Sequence, residues 1–223
     1  RAATAGVLTL DQSPMPDGPT TAPGPMYQNG TYLANNPSWH QEDSAWKAGH
    51  LRRLIERNGL KPTSICEVGC GAGEVLRQLQ ATGFAPDVSC TGFDVSPQAL
   101  EICGPKAGPN LHYELKDPMA AGANPGTFDI AMAIDVFEHV EDYLGFLRRI
   151  GTLAPHKIFH IPRDLSVQMV ARATPIQRKR DTVGHIHYFT KETALATLRD
   201  AGHEIIDHQY TAGTVELPSA GWK

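Results

Sequence analysis

Glu67-Val68-Gly69-Cys70-Gly71-Ala72-Gly73 closes a short apolar run, Ser64 to Val68, and opens an amphipathic one from Glu74 to Thr82 with Gly83 behind it. The pattern predicts a strand, a tight turn and a helix. Glycines let the backbone turn sharply and approach a ligand with no Cβ in the way. The free N–H groups and partial positive charge of the following helix favour an anionic group there, a carboxylate or a phosphate. A third dinucleotide-type glycine would fall at position 74, where Glu74 stands, an acidic side chain poorly suited to a pyrophosphate.

Working outward, strands and helices alternate. Val88 to Val95 reads as a strand, Ser96-Pro97 as an N-cap with proline at the first helical position, Leu111 to Leu115 as a strand, and Phe128 to Ile134 as a strand that is nearly all apolar. Tyr143 to Leu153 reads as a helix, Lys157 to Ile161 as a fifth strand, Thr190 as the cap of a helix reaching Ala201, and Glu204 to Tyr210 as a sixth strand. Continuous apolar strands separated by helices predict an α/β fold, a doubly wound and mostly parallel sheet of Rossmann-like type. Before the sheet, Trp46, Leu51, Leu54 and Ile55 recur at helical spacing until Gly59 and Pro62 stop them. Upstream, Pro14, Pro16, Pro19, Pro23, Pro25 and Pro37 accompany several glycines and few large apolar residues. Residues 1–41 are therefore expected to be a poorly ordered or extended leader, and 42–223 the folded domain.

The 223 residues suffice for one α/β domain, and a net charge of −4 with 20% charged residues gives no global basic field for nucleic acid. Cys66, Cys70, Cys90 and Cys103 lie in or beside apolar runs and read as reduced buried thiols. No apolar run reaches membrane-spanning length and the first thirty residues lack a signal pattern. The expectation is a cytoplasmic protein.

The run E-x-G-x-G-x-G after the first strand resembles motif I of class I S-adenosylmethionine-dependent methyltransferases, small-molecule branch. The resemblance implies S-adenosylmethionine as cofactor and S-adenosylhomocysteine as product. Glu67, Gly69, Cys70, Gly71 and Gly73 would then address its methionine portion. Asp94-Val95, at the end of the second strand, would accept the ribose hydroxyl protons. Asp117-Pro118, past the third strand, matches the place of the adenine amino group, though an Asp before Pro is also an ordinary turn start. Lys47 would meet the methionine carboxylate, with a surface lysine as the bland reading. The family's sheet has seven strands. Thr211 to Lys223 is too short and too rich in Gly and Pro to supply the usual last one, so that strand is expected to be missing.

The fourth strand runs into Asp135-Val136-Phe137-Glu138-His139-Val140-Glu141-Asp142, where the resemblance places the methyl group. Asp135, which the resemblance also counts among the cofactor-binding residues, His139 and His185 are the candidate catalytic residues: His139 would take a proton from an acceptor hydroxyl, and His185 and His187 alternate so that both could meet the pocket. The acidic residues here also suit a helix N-terminus. Ubiquinone-type O-methyltransferases and small-RNA end-methylating enzymes bind a divalent ion with an acidic-x-x-Glu-His run. Asp135, Glu138 and His139 match it, with a further imidazole available from residues 184–189. Whether this chain uses a metal stays open. Residues 162–190 occupy the place of the family's acceptor lid and carry Arg163, Arg172, Arg178, Lys179 and Arg180, either a solvated basic loop or a means of recruiting an acidic acceptor.

The expected activity is methyl transfer to a small molecule, most simply to a hydroxyl oxygen of a sugar or secondary metabolite, with nitrogen and carbon acceptors open. A metal-dependent RNA 2′-O-methyltransferase, an NAD-dependent oxidoreductase or epimerase, and a non-catalytic binding module are the alternatives.

Overall fold

The computed structural model describes residues 24–82, 87–172 and 174–211. Its centre is a five-stranded, wholly parallel sheet of order β3-β2-β1-β4-β5. The strands are β1 (Ser64–Val68), β2 (Ser89–Asp94), β3 (Leu111–Leu115), β4 (Ile130–Ile134) and β5 (His156–His160). The order reverses between β1 and β4, and in open sheets of this kind ligands collect beyond the carboxyl ends of the strands at that point.

Period-two side chains build a core on each face. Ile130, Met132 and Ile134 of β4, with Ile65 of β1, pack against one layer that includes Ala48, Leu51, Ile55, Leu76 and Leu79. Ala131 and Ala133, with Cys66 and Val68, pack against the other, which includes Phe146, Leu147, Ala194 and Leu198. All five β4 residues are buried, as expected of a strand covered on both sides. The first layer is formed by α2 (Ser44–Arg57) and α3 (Glu74–Ala81), the second by α5 (Tyr143–Ile150) and α8 (Lys191–Asp200); α1 (Thr31–Asn35) precedes the sheet and α4 (Pro97–Cys103) follows β2. Ser96 caps α4 by accepting from the Ala99 N–H, with Pro97 at the first position, and Thr190 and Thr193 form a reciprocal cap on α8.

Four expectations need revision. Glu204 to Tyr210 is not a strand: among the described residues it joins no ladder and is held by side chains instead, with Arg57 donating to Asp207 at 2.6 Å and to Gln209 at 2.8 Å. A strand needs a neighbour for its N–H and C=O groups, and apolar pattern alone does not supply one. The helix begun at Tyr143 ends at Ile150, three residues early, where Gly151 follows. Residues 162–190 are not a simple loop but carry α6 (Val167–Arg172) and α7 (Thr174–Val183). Finally, residues 24–41 are not loose: a 3-10 turn at Pro25–Tyr27 and α1 bring Tyr32 to 7% exposure. Residues 1–23, Gly83 and the stretch 212–223 expected to lack a last strand lie outside the described residues.

Candidate functional site

Beyond β1 the chain turns through Gly69, Gly71 and Gly73 at φ of +75°, +52° and +70°, the left-handed region that glycine enters without cost. Each has a large neighbour where a side chain would stand. A Cβ on Gly69 would lie 2.8 Å from Val136 Cγ2, one on Gly71 2.6 Å from Trp39 Nε1, and one on Gly73 2.6 Å from Tyr113 Cζ. The Gly69 and Cys70 N–H groups both donate to the Phe93 carbonyl, which ties the turn to the end of β2. Cys70 itself is buried.

Asp94, at the carboxyl end of β2, accepts from Gly71 N–H at 2.8 Å through Oδ2 and from Ser96 N–H at 2.8 Å through Oδ1. Burial raises its pKa, and those N–H groups work against the rise. Val95, next to it, is half-buried. Glu67 is 2% exposed, its Oε2 has no hydrogen-bond partner among the described residues, and burial pushes its pKa up to about 8 against the pull of Lys47. Asp117 accepts from Met119 N–H at 2.8 Å in a local turn beside buried Pro118, so its first contact is the turn-forming one.

Lys47 and Asp135 meet. Lys47 Nζ lies 2.8 Å from Asp135 Oδ2 and 3.1 Å from Asp43 Oδ2. Burial would lower the lysine, but the two carboxylates outweigh it and hold it charged. Burial would likewise raise Asp135, and His160 with Lys47 hold it well below the usual carboxylate range. Asp135 sits at φ +55°, an uncommon conformation for a residue with a side chain, and it is retained here by the His160 Nδ1 contact at 2.6 Å and the ion pair. His160 thus belongs to the site, and its position inside a strand concealed this.

The next residues form a second group. Glu138 is 1% exposed and, among the described residues, neither carboxylate oxygen has a hydrogen-bond partner, His139 Nε2 standing 3.9 Å from Oε1; burial, then the Asp135 charge, raises its pKa well above normal. His139 Nδ1 lies 3.1 Å from the Gly184 carbonyl and 2.8 Å from the Tyr27 hydroxyl, while that hydroxyl donates to the Val183 carbonyl at 2.6 Å. A carbonyl only accepts, so Nδ1 carries the proton and Nε2 the lone pair. Burial, then neighbouring His185, pushes His139 down to about 4, which leaves it neutral at physiological pH. His185 Nδ1 donates to Asp164 Oδ2 at 2.5 Å, and Lys179 Nζ meets Asp164 Oδ1 at 2.5 Å. Although burial opposes it, those two bonds lower the Asp164 pKa and keep it ionised. With Nδ1 held by Asp164, Nε2 is the His185 nitrogen left for the cluster.

Glu138, His139 and His185 offer ligand atoms within 4.8 Å of one another. His187 does not join them: its Nε2 donates to the Val140 carbonyl at 2.9 Å and its ring lies on Tyr143. Nor does Asp135, which is engaged by Lys47 and His160. The cationic side chains of the 162–190 segment are mostly exposed, with Lys179 the one drawn inward. Two residues that no motif signals complete the picture. Tyr27 reaches His139 from the segment expected to be loose, and Asp164 follows β5 in a stretch with no catalytic spacing. The aromatic residues at 27, 32 and 39 are the only hint the first of them leaves in the sequence.

All four cysteines are free and buried, and burial pushes Cys66 and Cys90 up to about 12, so these two stay protonated. Among the described residues no helix is long and apolar enough to cross a membrane.

Comparison with known proteins agrees with this geometry. Residues 38–208 match the family model described as a methyltransferase domain. A ubiquinone biosynthesis O-methyltransferase of Methylocella silvestris is 32% identical over 97 residues, covering 42% of this chain and 36% of that protein. One from Colwellia psychrerythraea is 30% identical over 122 residues, covering 53% and 48%. Ajmaline N-methyltransferase of Rauvolfia serpentina is 28% identical over 116 residues, covering 48% and 39%. The chain spans less than half the length of these relatives. Among solved structures, an O-methyltransferase family protein from Burkholderia thailandensis shares the fold with a TM-score of 0.58 at 14% identity, over 83% of this chain and 60% of that one. The methyltransferase in a complex with the Haloferax volcanii Trm112 activator shares it at 0.57 and 17% identity, over 87% and 85%. With the family model spanning the sheet, the glycine turn and both histidines of the buried cluster, the chain belongs to the methyltransferase domain family.

Proposed function

We propose that this protein binds S-adenosylmethionine at the Gly69–Gly73 turn and Asp94, and transfers its methyl group to a hydroxyl oxygen of a small-molecule acceptor. One observation carries the reading: the three left-handed glycines and Asp94 lie at the carboxyl edge of the sheet, and the turn after β4 brings His139 together with His185 and a buried carboxylate. On this reading Asp94 holds the ribose, Glu67 and the turn address the methionine portion with Lys47 toward its carboxylate, and Asp117-Pro118 lies toward the adenine. Residues 42–223 act as one catalytic unit, 162–190 cover the acceptor, and the cationic side chains of that cover suit an acidic one. A cytoplasmic location fits the protonated thiols.

Methyl transfer is an in-line displacement at an activated sulfonium carbon, so the protein's work is alignment and acceptance of one proton. The O–CH3 bond forms as the S–CH3 bond breaks, its electron pair neutralises sulfur, and the hydroxyl proton passes to an imidazole Nε2 of the His139/His185 pair. Asp135 lies near the reacting carbon as a fixed negative charge.

A second reading is favoured by the unpartnered Glu138 oxygens. A divalent ion fits Glu138, His139 and His185, and when bound it would lower the pKa of an acceptor hydroxyl. Buried carboxylates without partners are costly, and a cation relieves that cost.

The test is transfer of labelled methyl from S-adenosylmethionine into a panel of hydroxylated metabolites, with and without chelator. Label in a small molecule supports the proposal. Retention of NAD, or label in RNA, would replace it.

A further inference from the structure

Resting on the second reading above, we infer that Asp164 is the residue that positions His185 for a divalent transition-metal ion, and that Asp135 takes no part in holding it. Metal-bound histidines donate their other ring N–H to a carboxylate or carbonyl, which fixes the tautomer and the ring and raises the basicity of the ligating nitrogen. Both histidines here meet that condition before any ion arrives: His185 Nδ1 donates to Asp164 Oδ2 at 2.5 Å, and His139 Nδ1 to the Gly184 carbonyl at 3.1 Å. Asp164 is 4% exposed, and its carboxylate is divided between His185 on one oxygen and Lys179 on the other. The inward side of the cluster holds the orphaned Glu138 carboxylate. One oxygen donor and two nitrogen donors favour manganese, iron, cobalt or zinc over magnesium or calcium, which prefer all-oxygen shells. Asp135 stands aside because both of its oxygens are engaged, one by Lys47 and the other by His160.

Lys179 belongs to α7, so the segment over the acceptor side reaches the ion through Asp164 and His185. The Ile186 and His187 N–H groups both donate to the Glu138 carbonyl, which fixes the His185 backbone against the carboxylate it must face. Placement of the donors is thus shared by β5's exit, α7 and the turn after β4.

The test uses the full chain, without cofactor, titrated with Mn2+ near neutral pH and followed by electron paramagnetic resonance. The wild type is expected to bind one ion per chain. Asp164→Asn should weaken binding about 10- to 100-fold, because an amide presents an N–H to Nδ1 and moves the imidazole proton to Nε2; nitrogen NMR of His185 reads that change of tautomer directly. Asp164→Glu should restore part of the affinity, and Asp135→Asn, which changes a neighbouring charge but no donor, should weaken binding clearly less than Asp164→Asn. Calorimetry with S-adenosylhomocysteine on the same samples shows that each variant is folded and tests the cofactor site independently. Wild-type protein that binds S-adenosylhomocysteine but no Mn2+, an Asp164→Asn variant that binds Mn2+ as tightly as wild type, or an Asp135→Asn variant that loses more affinity than Asp164→Asn would each overturn the inference without bearing on the methyltransferase reading. Absence of S-adenosylhomocysteine binding would instead overturn the methyltransferase reading.

Discussion

Lys47 Nζ and Asp135 Oδ2 stand 2.8 Å apart, which joins the helix ahead of the sheet to the residue just past the carboxyl end of β4. The pair is largely shielded, with side-chain exposures of 11% and 24%, and Asp135 holds its unfavourable backbone angle within it.

Removing the cation should therefore cost more than a surface ion pair would. Lys47→Met leaves Asp135 with His160 alone, and the expected loss is about 3 kcal/mol, the range for breaking a shielded pair from one side. Urea unfolding of both proteins measures it, and a loss below about 1 kcal/mol would place the pair among ordinary surface bridges.

On the proposed reading, Asp94→Ala is expected to weaken S-adenosylhomocysteine binding by about 1–3 kcal/mol, roughly 10- to 100-fold, since it removes the acceptor of the Gly71 N–H together with the proposed acceptor of the ribose hydroxyls. Isothermal calorimetry gives the number directly. Binding equal to wild type would remove Asp94 from the cofactor.

Gly73→Ala meets two penalties at once, a left-handed φ of +70° and a Cβ 2.7 Å from Cys103 Cβ. The loss expected is about 2–4 kcal/mol of unfolding free energy, strain and overpacking together. Gly104→Ala is the control, since an added Cβ there meets nothing within 4 Å and its φ lies outside the left-handed region.

Glu67 should make stability fall with rising pH. Its pKa is near 8 in the folded chain and 4.5 when unfolded, so the unfolded state releases this proton first and the native state loses ground between those values. Glu67→Gln keeps the shape without the titration, and its midpoint of thermal unfolding should exceed that of wild type at pH 9 but not at pH 4. Parallel curves for the two proteins across that range would contradict the burial of the charge.

The sequence shows most where local chemistry and global role coincide. β1 and β3 have the bounds that their apolar runs predict, and Ser96 and Thr190 cap the helices they were expected to cap. Glycine spacing announces the turn because only glycine tolerates those angles. The Glu204 to Tyr210 segment has a strand's pattern and forms none, because a strand is a relation between two segments and pattern describes one. Tyr27 was hidden in a proline-rich stretch whose composition argues against a core, although a few aromatic residues are enough to dock it. Asp164 lay outside every motif because its work is done through His185, 21 residues away and on another element. Asp135 turns to Lys47 and His160 and not to Glu138 and His139, since spacing along a run gives proximity but not the direction in which a carboxylate turns.

The three large neighbours of the glycine turn come from widely separated parts of the chain: Trp39 ahead of the sheet, Tyr113 on β3 and Val136 past β4. Each fills a hollow that exists because a methyl group is missing opposite. The turn therefore works as a keyway cut to three separate keys, and a mutation giving it a side chain can be accommodated only if the matching key is trimmed too. Divergence at this edge should proceed by paired exchanges, small for large on one side and large for small on the other.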